Sequence, residues 1–464
     1  MLILISVTVS AGTAGLGRQA AGQSGTQVPV TFEPRTYRMV SVPVELFDKS
    51  FEGVLFDDYG PYNINIWRLF HYNSIQNRYD EYPNTGVDFS RGTAVWLVNQ
   101  DGTSFDIGEE SDTNIDSPIP IIVFPGWNQI GMPFPFPIAC RTLLDQASEL
   151  VPQIDDIEGP VSYDGAEFHY NVNTCDPWQG YFIFIHAVGD EPIPLLIPPL
   201  QSSGGPSKRT TAGTFDPSHD YMVRFSAEIE HTGLRDSQNY IGFLRDASDG
   251  EDENDFREAP PIGEFVRFSI VEDGKRFAGN FKTINETGHS WRINIQSSRS
   301  DMDIVVSLEE SGLLPAGFKT YILDRDYRTV VPVENNVFSI RLRSKESERH
   351  LSVVIGTEQF ALENTDGISL LPLEYELLQN FPNPFGPETA IRYRLGGGGI
   401  VSLTIYNALG QVVRRLDQGY QDAGTHAVSW DGKDEAGVAV ASGIYLYRLD
   451  SPEFTDTRKM TLIR

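Results

Sequence analysis

Asn380-Phe381-Pro382-Asn383-Pro384-Phe385, followed by Pro387, opens the stretch from Leu377 to Arg464 whose reading decides the fold. Proline lacks a ladder donor and disfavours helix in the residue before it, so this opening is expected to be extended and outside a central ladder. Its two phenylalanines are expected to pin it onto an apolar surface. The segments Thr389–Leu395, Ile400–Tyr406, Gln411–Asp417, Thr425–Trp430, Gly443–Leu449 and Lys459–Ile463 then read as strands. Ile391, Tyr393 and Leu395 share one face, as do Val401, Leu403 and Ile405, which is period two. Turn signals at Gly396–Gly399, Asn407–Gly410, Asp431–Gly432 and Ala441–Gly443 separate them. Short strands at this spacing predict a small β-sandwich.

The same residues carry a resemblance. N-F-P-N-P-F, I-Y-N-A-L-G-Q, A-G-T-H, W-D-G-K-D, V-A-S-G-I-Y-L-Y-R-L and a closing K-M-T-L-I-R follow in that order. The set resembles the type A C-terminal sorting domain of type IX (Por) secretion cargo. It is equally similar to the immunoglobulin-like module of flagellar hook-capping proteins. Gly386 stands where the sorting family usually has Asn. The resemblance implies a secreted or cell-surface protein that passes through the periplasm and the outer membrane with the type IX machinery as its partner. It further implies that the domain is removed at the surface and the cargo released or attached there. Gly443, Tyr445, Tyr447, Arg448 and Lys459 are the residues of this chain that the resemblance marks as the sorting signal. Tyr445 and Tyr447 alternate on one strand face and are expected to point inward. Gly443 is expected to allow a backbone conformation closed to other residues, and Lys459 to lie near an end of the module.

A length of 464 residues suits about three domains, each with its own core. Thirty-six basic against 64 acidic residues give a net charge of −28. Such a field repels nucleic acid and anionic lipid, so neither is expected as a partner. No apolar run reaches the length of a membrane span. Two cysteines, Cys140 and Cys175, form either a disulfide in an oxidising compartment or a pair of buried thiols. With no clustered histidines, a zinc site is not expected. Met1–Ser10 is apolar without a basic start, so residues 1–29 read as the tail of a truncated upstream β domain or as a signal region.

Residues 30–200 read as a duplicated β domain, with copies at about 30–110 and 120–200. Tyr37–Pro43 matches Trp127–Pro133, and Phe70-His71-Tyr72-Asn73 recurs as Phe168-His169-Tyr170-Asn171. Gly92 with Trp96-Leu97 is echoed by Gly180 with Phe184-Ile185. In the second copy, Cys140–Leu150 has helical spacing. His71 and His169 are expected to face away from Phe and Tyr, exposed, as part of a repeated strand signature rather than a two-histidine site.

Residues 201–213 read as a linker, 214–357 as a second sandwich, 358–376 as another linker and 377–464 as the sorting domain. Strands are expected at Tyr221–Ile229, Tyr240–Phe243, Phe265–Val271, Ser290–Gln296, Ile304–Leu308, Thr320–Asp324, Val337–Leu342 and Leu351–Ile355. Segments around Asn239–Gly242, Trp291 and Leu323–Arg325 resemble a β module of surface proteins that carry this sorting domain. Asp246, Asp249, Asp252 and Asp255 recur every third residue around Gly250 and are weak calcium candidates. They miss the EF-hand order, and a solvated acidic loop is the expected reading. No other cofactor or metal is expected.

No nucleophile elbow, phosphate loop or metal-protease motif occurs, and no catalytic residues are assigned. The sequence therefore points to an all-β, multi-domain, non-catalytic secreted protein serving adhesion, binding or structure, its surface ligand unidentified. The alternative is the accessory region of an exported hydrolase, a protease or glycosidase whose catalytic domain lies upstream. A third reading, a carbohydrate-binding module in residues 30–200, is motivated by Tyr62, Trp67, Tyr79 and Tyr82.

Overall fold

The computed structural model describes residues 28–463 apart from Asp112, 141–153, Asn171, Val188, Asp190, 201–214, Glu334, 369–374, Gly397, Asp422 and Ala423. The helix expected at Cys140–Leu150 lies outside the described residues beyond Cys140. The chain forms two compact units: residues 1–157 with 174–205, and residues 158–173 with 206–464. The fold is all-β, built of several sheets with two short helices among the described residues.

The first unit begins with β1 (Arg38–Ser41), α1 (Phe51–Tyr59), β2 (Trp67–Asn73), β3 (Arg78–Glu81) and β4 (Ala94–Asn99). These strands lie in the order β1-β4-β2-β3. Helix α1, inside a stretch the sequence left unassigned, starts where the Ser50 hydroxyl accepts from the Gly53 N–H at 3.0 Å. It buries Phe51, Val54, Leu55 and Tyr59 against Trp67, Leu69 and Leu97. Next along the chain come β5 (Ile119–Val123), β6 (Gly126–Gly131), β7 (Ile138–Ala139), β8 (Ile154–Tyr163), β9 (Phe168–His169), β10 (Thr174–Cys175), β11 (Gly180–Ala187) and β12 (Ile193–Ile197), of which β9 belongs to the second unit. Their main sheet runs β6-β11-β8-β9, the same order in sequence as the first sheet. Strand β8 begins in the first unit and ends in the second.

Within the first unit the two halves exchange matching backbone bonds. Ser41 N–H donates to the Trp178 carbonyl at 3.0 Å, and Gly131 N–H donates to the Gly92 carbonyl at 2.8 Å. The approach at Gly131 needs glycine, because a Cβ there would stand 2.4 Å from Ser41 Cβ and 2.6 Å from the Thr93 carbonyl oxygen. The F-H-Y-N match does not hold in space. Phe70–Asn73 lies on β2, the third strand in its sheet order, whereas Phe168-His169 lies on β9, the fourth in its own. Identical letters thus fall on opposite arms of the corresponding hairpins.

The aromatics that motivated a sugar platform pack inward instead. Trp67 is buried and stacks on Tyr82 at 5.9 Å, with Tyr62 edge-on to both. Tyr79 stands edge-on to buried Tyr72 at 5.2 Å.

In the second unit, β13 (Tyr221–Ile229), β14 (Leu234–Phe243), β15 (Phe256–Arg257), β16 (Val266–Glu272), β17 (Lys275–Lys282) and β18 (Gly288–Ser297) come first. They continue with β19 (Met302–Gly312), β20 (Lys319–Asp324), β21 (Thr329–Val330), β22 (Val337–Leu342) and β23 (Glu348–Gly356). All eleven join in one hydrogen-bonded sheet, ordered β21-β20-β23-β18-β16-β17-β14-β13-β19-β22 with β15 on β17. Phe338 on β22 and Val223 on β13, toward one end of that order, share one core with Phe268, Ile293 and Val353 on the neighbouring strands β16, β18 and β23, so the sheet wraps on itself. Helix α2 (Glu358–Glu363) replaces part of the expected linker and buries Ala361 beside Leu323 and Val354.

The C-terminal module packs β24 (Glu376–Leu377), β25 (Thr389–Leu395) and β28 (Gly424–Trp430) over a sheet ordered β27-β26-β29-β30. These last four are β26 (Gly399–Asn407), β27 (Val412–Gln421), β29 (Gly443–Asp450) and β30 (Thr455–Leu462). Ile391, Tyr393, Leu403, Ile405, Tyr447 and Leu449 are fully buried between the sheets, as period two requires.

Candidate functional site

The proline-rich lead-in seals the module's edge. Phe385 N–H donates to the Thr461 carbonyl at 2.9 Å, and Ile463 N–H returns a bond to the Phe385 carbonyl at 2.9 Å. Asn383 Oδ1 accepts from Thr461 N–H, and Gln379 Nε2 donates to the Lys459 carbonyl at 2.8 Å. An edge strand is thereby covered rather than left open. Only one of the two phenylalanines does the expected pinning: Phe385 is 2% exposed and packs on Trp430, whereas Phe381 is 75% exposed. Backbone bonds in both directions between Phe381 and Ala390 hold that residue in place. A side chain at Gly386 would meet the Ile463 carbonyl oxygen at 2.2 Å, which explains glycine there.

The five expected signal residues separate into core and surface. Tyr445 and Tyr447 point inward as expected, with Tyr445 edge-on to Trp430 at 5.2 Å and its hydroxyl donating to the Ala441 carbonyl at 2.7 Å. The Tyr447 hydroxyl reaches the lead-in, accepting from Asn380 N–H at 2.9 Å. Burial raises its pKa above the ordinary phenol value. Gly443 has open space where a Cβ would stand, so the expected backbone requirement is absent there. Lys459 lies opposite Leu446 in mid-strand, not at an end of the module.

Arg448 and Lys459 lie on the outer face of the four-stranded sheet. One cross-strand row reads Arg415, Thr404, Arg448, Thr457, and the next reads Val412, Tyr406, Leu446, Lys459. Arg415, Arg448 and Lys459 are exposed. Arg448 pairs with Asp450 at 2.8 Å and lies 5.9 Å from the Tyr406 ring centre. Val412 and Ile444 add half-exposed aliphatic surface. Sequence reading missed Arg415 and Tyr406, although their parity on β26 and β27 places them opposite the core residues.

The carboxylates of the acidic loop bond to neighbouring backbone groups. Asp252 Oδ1 accepts from Asn254 N–H at 2.8 Å, and Asp255 accepts from Asp252 N–H at 3.2 Å and Phe281 N–H at 2.8 Å. Asp249 approaches His289 at 3.5 Å, and the Asp246 carbonyl faces Asn254. Among the described residues, no three of these four bring carboxylate oxygens within 4.8 Å of one another. Their oxygens serve turn geometry instead.

The histidines are held by local partners. His71 is not exposed as expected; its Nδ1 lies 3.0 Å from the Ala94 carbonyl, and burial lowers its pKa. His169 pairs with Asp164 at 3.0 Å. Cys140 and Cys175 are joined by a disulfide beside the short β7–β10 ribbon.

The second unit also buries a charged network. Arg267 pairs with Glu258 at 2.5 Å, Ser269 donates to Glu258, and Asp236 accepts from Phe268 N–H at 2.8 Å. Burial first, then the Glu258 charge, pushes the Asp236 carboxyl up to about 7. The hairpin at residues 158–173 covers these groups, with the Tyr170 hydroxyl accepting from Ala259 N–H at 3.1 Å and Glu167 accepting from Ser237 N–H at 3.1 Å. The adjoining cleft, about 50 Å³, has room for a few waters. Glu258, Arg267 and Ser269 are thus tied together beneath this hairpin.

Residues 398–451 match the model of the FlgD Ig-like domain. No curated protein matches the chain. Among solved structures, FlgD from P. aeruginosa is 27% identical over 16% of this chain and 57% of its own, with a TM-score of 0.14. PorZ, described as an essential surface component of the type-IX secretion system of Porphyromonas gingivalis, is 13% identical over 38% of this chain and 37% of its own, with a TM-score of 0.17. Dimeric latent PorU from Porphyromonas gingivalis is 13% identical over 54% of this chain and 30% of its own, with a TM-score of 0.17. The chain spans 57%, 37% and 30% of the lengths of these three proteins. An all-β chain thus carries, over residues 398–451, a segment similar to the FlgD Ig-like domain.

Proposed function

We propose that this is a secreted or surface-displayed, non-catalytic multi-domain β protein whose C-terminal module is a type A sorting domain read by type IX secretion machinery. In this reading the duplicated N-terminal β domain and the wrapped sheet that follows are the cargo. The observation that carries it is a charge division along the chain. Residues 377–464 hold nine acidic and nine basic side chains, so the whole net charge of −28 falls on residues 1–376. A neutral, self-closed sandwich joined to a strongly acidic body suits a module with a separate task from that body. The matching strand orders and the paired Ser41 and Gly131 bonds support two copies of one fold within residues 30–200.

Export is the test. The chain with and without residues 377–464 is expressed behind a periplasmic signal in a type IX-competent host, and the cells are fractionated. The full chain is expected at the surface or in the medium, and the shortened chain in the periplasm. Equal surface levels would end the sorting reading and favour a structural module of the hook-capping kind.

A further inference from the structure

We infer that Lys282, Asn280 and Glu272 form a self-modifying site, at which the lysine amine joins the asparagine side chain in an isopeptide bond and one ammonium ion is released. The inference is independent of the sorting reading above. Asn280 and Lys282 flank Phe281 on β17, so their side chains leave the same face of the strand. Both are buried, at 1% and 5% exposure. Positions two apart on a strand are about 6.6 Å from one another, a gap that the lysine and asparagine stems together cover. Glu272, at the end of β16, reaches both groups: its Oε1 accepts from Lys282 Nζ, and its Oε2 accepts from Asn280 Nδ2 at 3.0 Å. The two oxygens of one carboxylate adjoin, so they bring the amine and the amide side by side. The Asp249 carbonyl also accepts from Nζ, at 2.6 Å, and holds the amine in place.

A buried ion pair alone accounts for Glu272 and Lys282 but not for Asn280. Its Nδ2 turns toward the carboxylate, which leaves Oδ1 buried without a hydrogen-bond partner among the described residues. Such a carbonyl is costly in a folded state and calls for a reason. The reaction supplies one. Glu272 takes a proton from the ammonium, leaving an amine with a free electron pair. That pair attacks Asn280 Cγ, and the uncommitted Oδ1 carries the developing negative charge, with the proton on Glu272 as its hydrogen-bond donor. The Cγ–Nδ2 bond then breaks. Nδ2 leaves as ammonium, taking the proton from Glu272 and a second one from Nζ, and Glu272 returns to a carboxylate. No oxidant, reductant or further reactant is consumed.

Mass spectrometry of the folded, purified full chain tests this. The cross-linked chain is expected to weigh one ammonia less than its sequence, and trypsin is expected to leave the bond after Lys282 uncut. Glu272→Gln, which keeps the shape but cannot take the proton, is expected to slow the loss of ammonia at least about a hundredfold. If that variant does not fold, Lys282→Arg, which keeps a cation beside Glu272, replaces it and is expected to have the full mass. A folded wild-type chain of full mass overturns the inference whatever the variants do. Loss of ammonia with Lys282 still cut by trypsin denotes a cyclic imide at an asparagine and overturns it too, as does an unchanged loss in Lys282→Arg.

Discussion

Tyr447 and Leu378 are joined across the inside of the C-terminal module, the phenol hydroxyl donating to the backbone carbonyl at 2.7 Å. The same hydroxyl accepts from Asn380 N–H, so one side chain serves two backbone groups of the lead-in. Tyr447→Phe keeps the ring and takes the partner from a buried donor and a half-buried acceptor. The expected loss is about 1–3 kcal/mol of module stability, read as a lower unfolding temperature. Faster amide exchange at Asn380 would locate the damage. An unchanged unfolding profile would show that the lead-in's bonds to β25 and β30 hold it without the phenol.

Removing Met460–Arg464 is expected to unfold the module rather than merely silence a signal. Met460 and Leu462 are completely buried, and β30 is the strand that the lead-in grips. Limited proteolysis should digest residues 377–459 and leave the wrapped sheet at residues 215–368 intact.

The pH response of the second unit should run against the usual acid-denaturation sense for two groups. Asp236 and Asp255 are each pushed up to about 7, burial being the first cause in both. An unfolded aspartate releases its proton near its ordinary value of 3.8, so between there and pH 7 the native state holds protons that the unfolded chain has lost. Stability from these groups therefore falls as pH rises through that window and levels off above it. Asp236→Asn, which can still accept from Phe268 N–H, is expected to raise the unfolding temperature at pH 8 and leave it near wild type at pH 4. A variant less stable than wild type at pH 8 would contradict the burial argument.

The disulfide closes 35 residues of chain. Reduction, or Cys140→Ser with Cys175→Ser, is expected to cost roughly 3–4 kcal/mol through loop closure in the unfolded state. Scanning calorimetry with and without reductant should show the loss in the transition of the first unit and not in that of the second.

The acidic loop is expected to bind calcium no more tightly than about the millimolar range of extracellular modules. Calorimetric titration of the whole chain measures it, and micromolar binding lost on Asp249→Ala would overturn the reading of the loop as turn chemistry.

Strand positions were legible wherever one face is buried. Tyr221–Ile229, Val337–Leu342 and Thr389–Leu395 occur with the bounds that alternation predicts. Strand β17 escaped notice because Lys275-Arg276 opens it and Ala278-Gly279-Asn280 interrupts its pattern, although its last six residues are all buried. Helix α1 was hidden in a short mixed segment, its Ser50 cap being the signal that could have found it. The F-H-Y-N identity misled because letters do not record which arm of a hairpin they occupy. Division of the signal residues needed the fold: parity along β29 separates Tyr447 from Arg448, but only the neighbouring strands reveal that Arg415 belongs beside Arg448.

The grip of Asn380–Phe385 on β30 joins stretches that are distant along the chain: Asn383 and Thr461, bonded to one another, lie 78 residues apart. Such a non-local contact carries a large loop-closure cost, so it forms late, after the strands between have folded back. Until β30 is seated, β29 is the open edge of its sheet, a row of unpaired backbone groups that another chain could pair with.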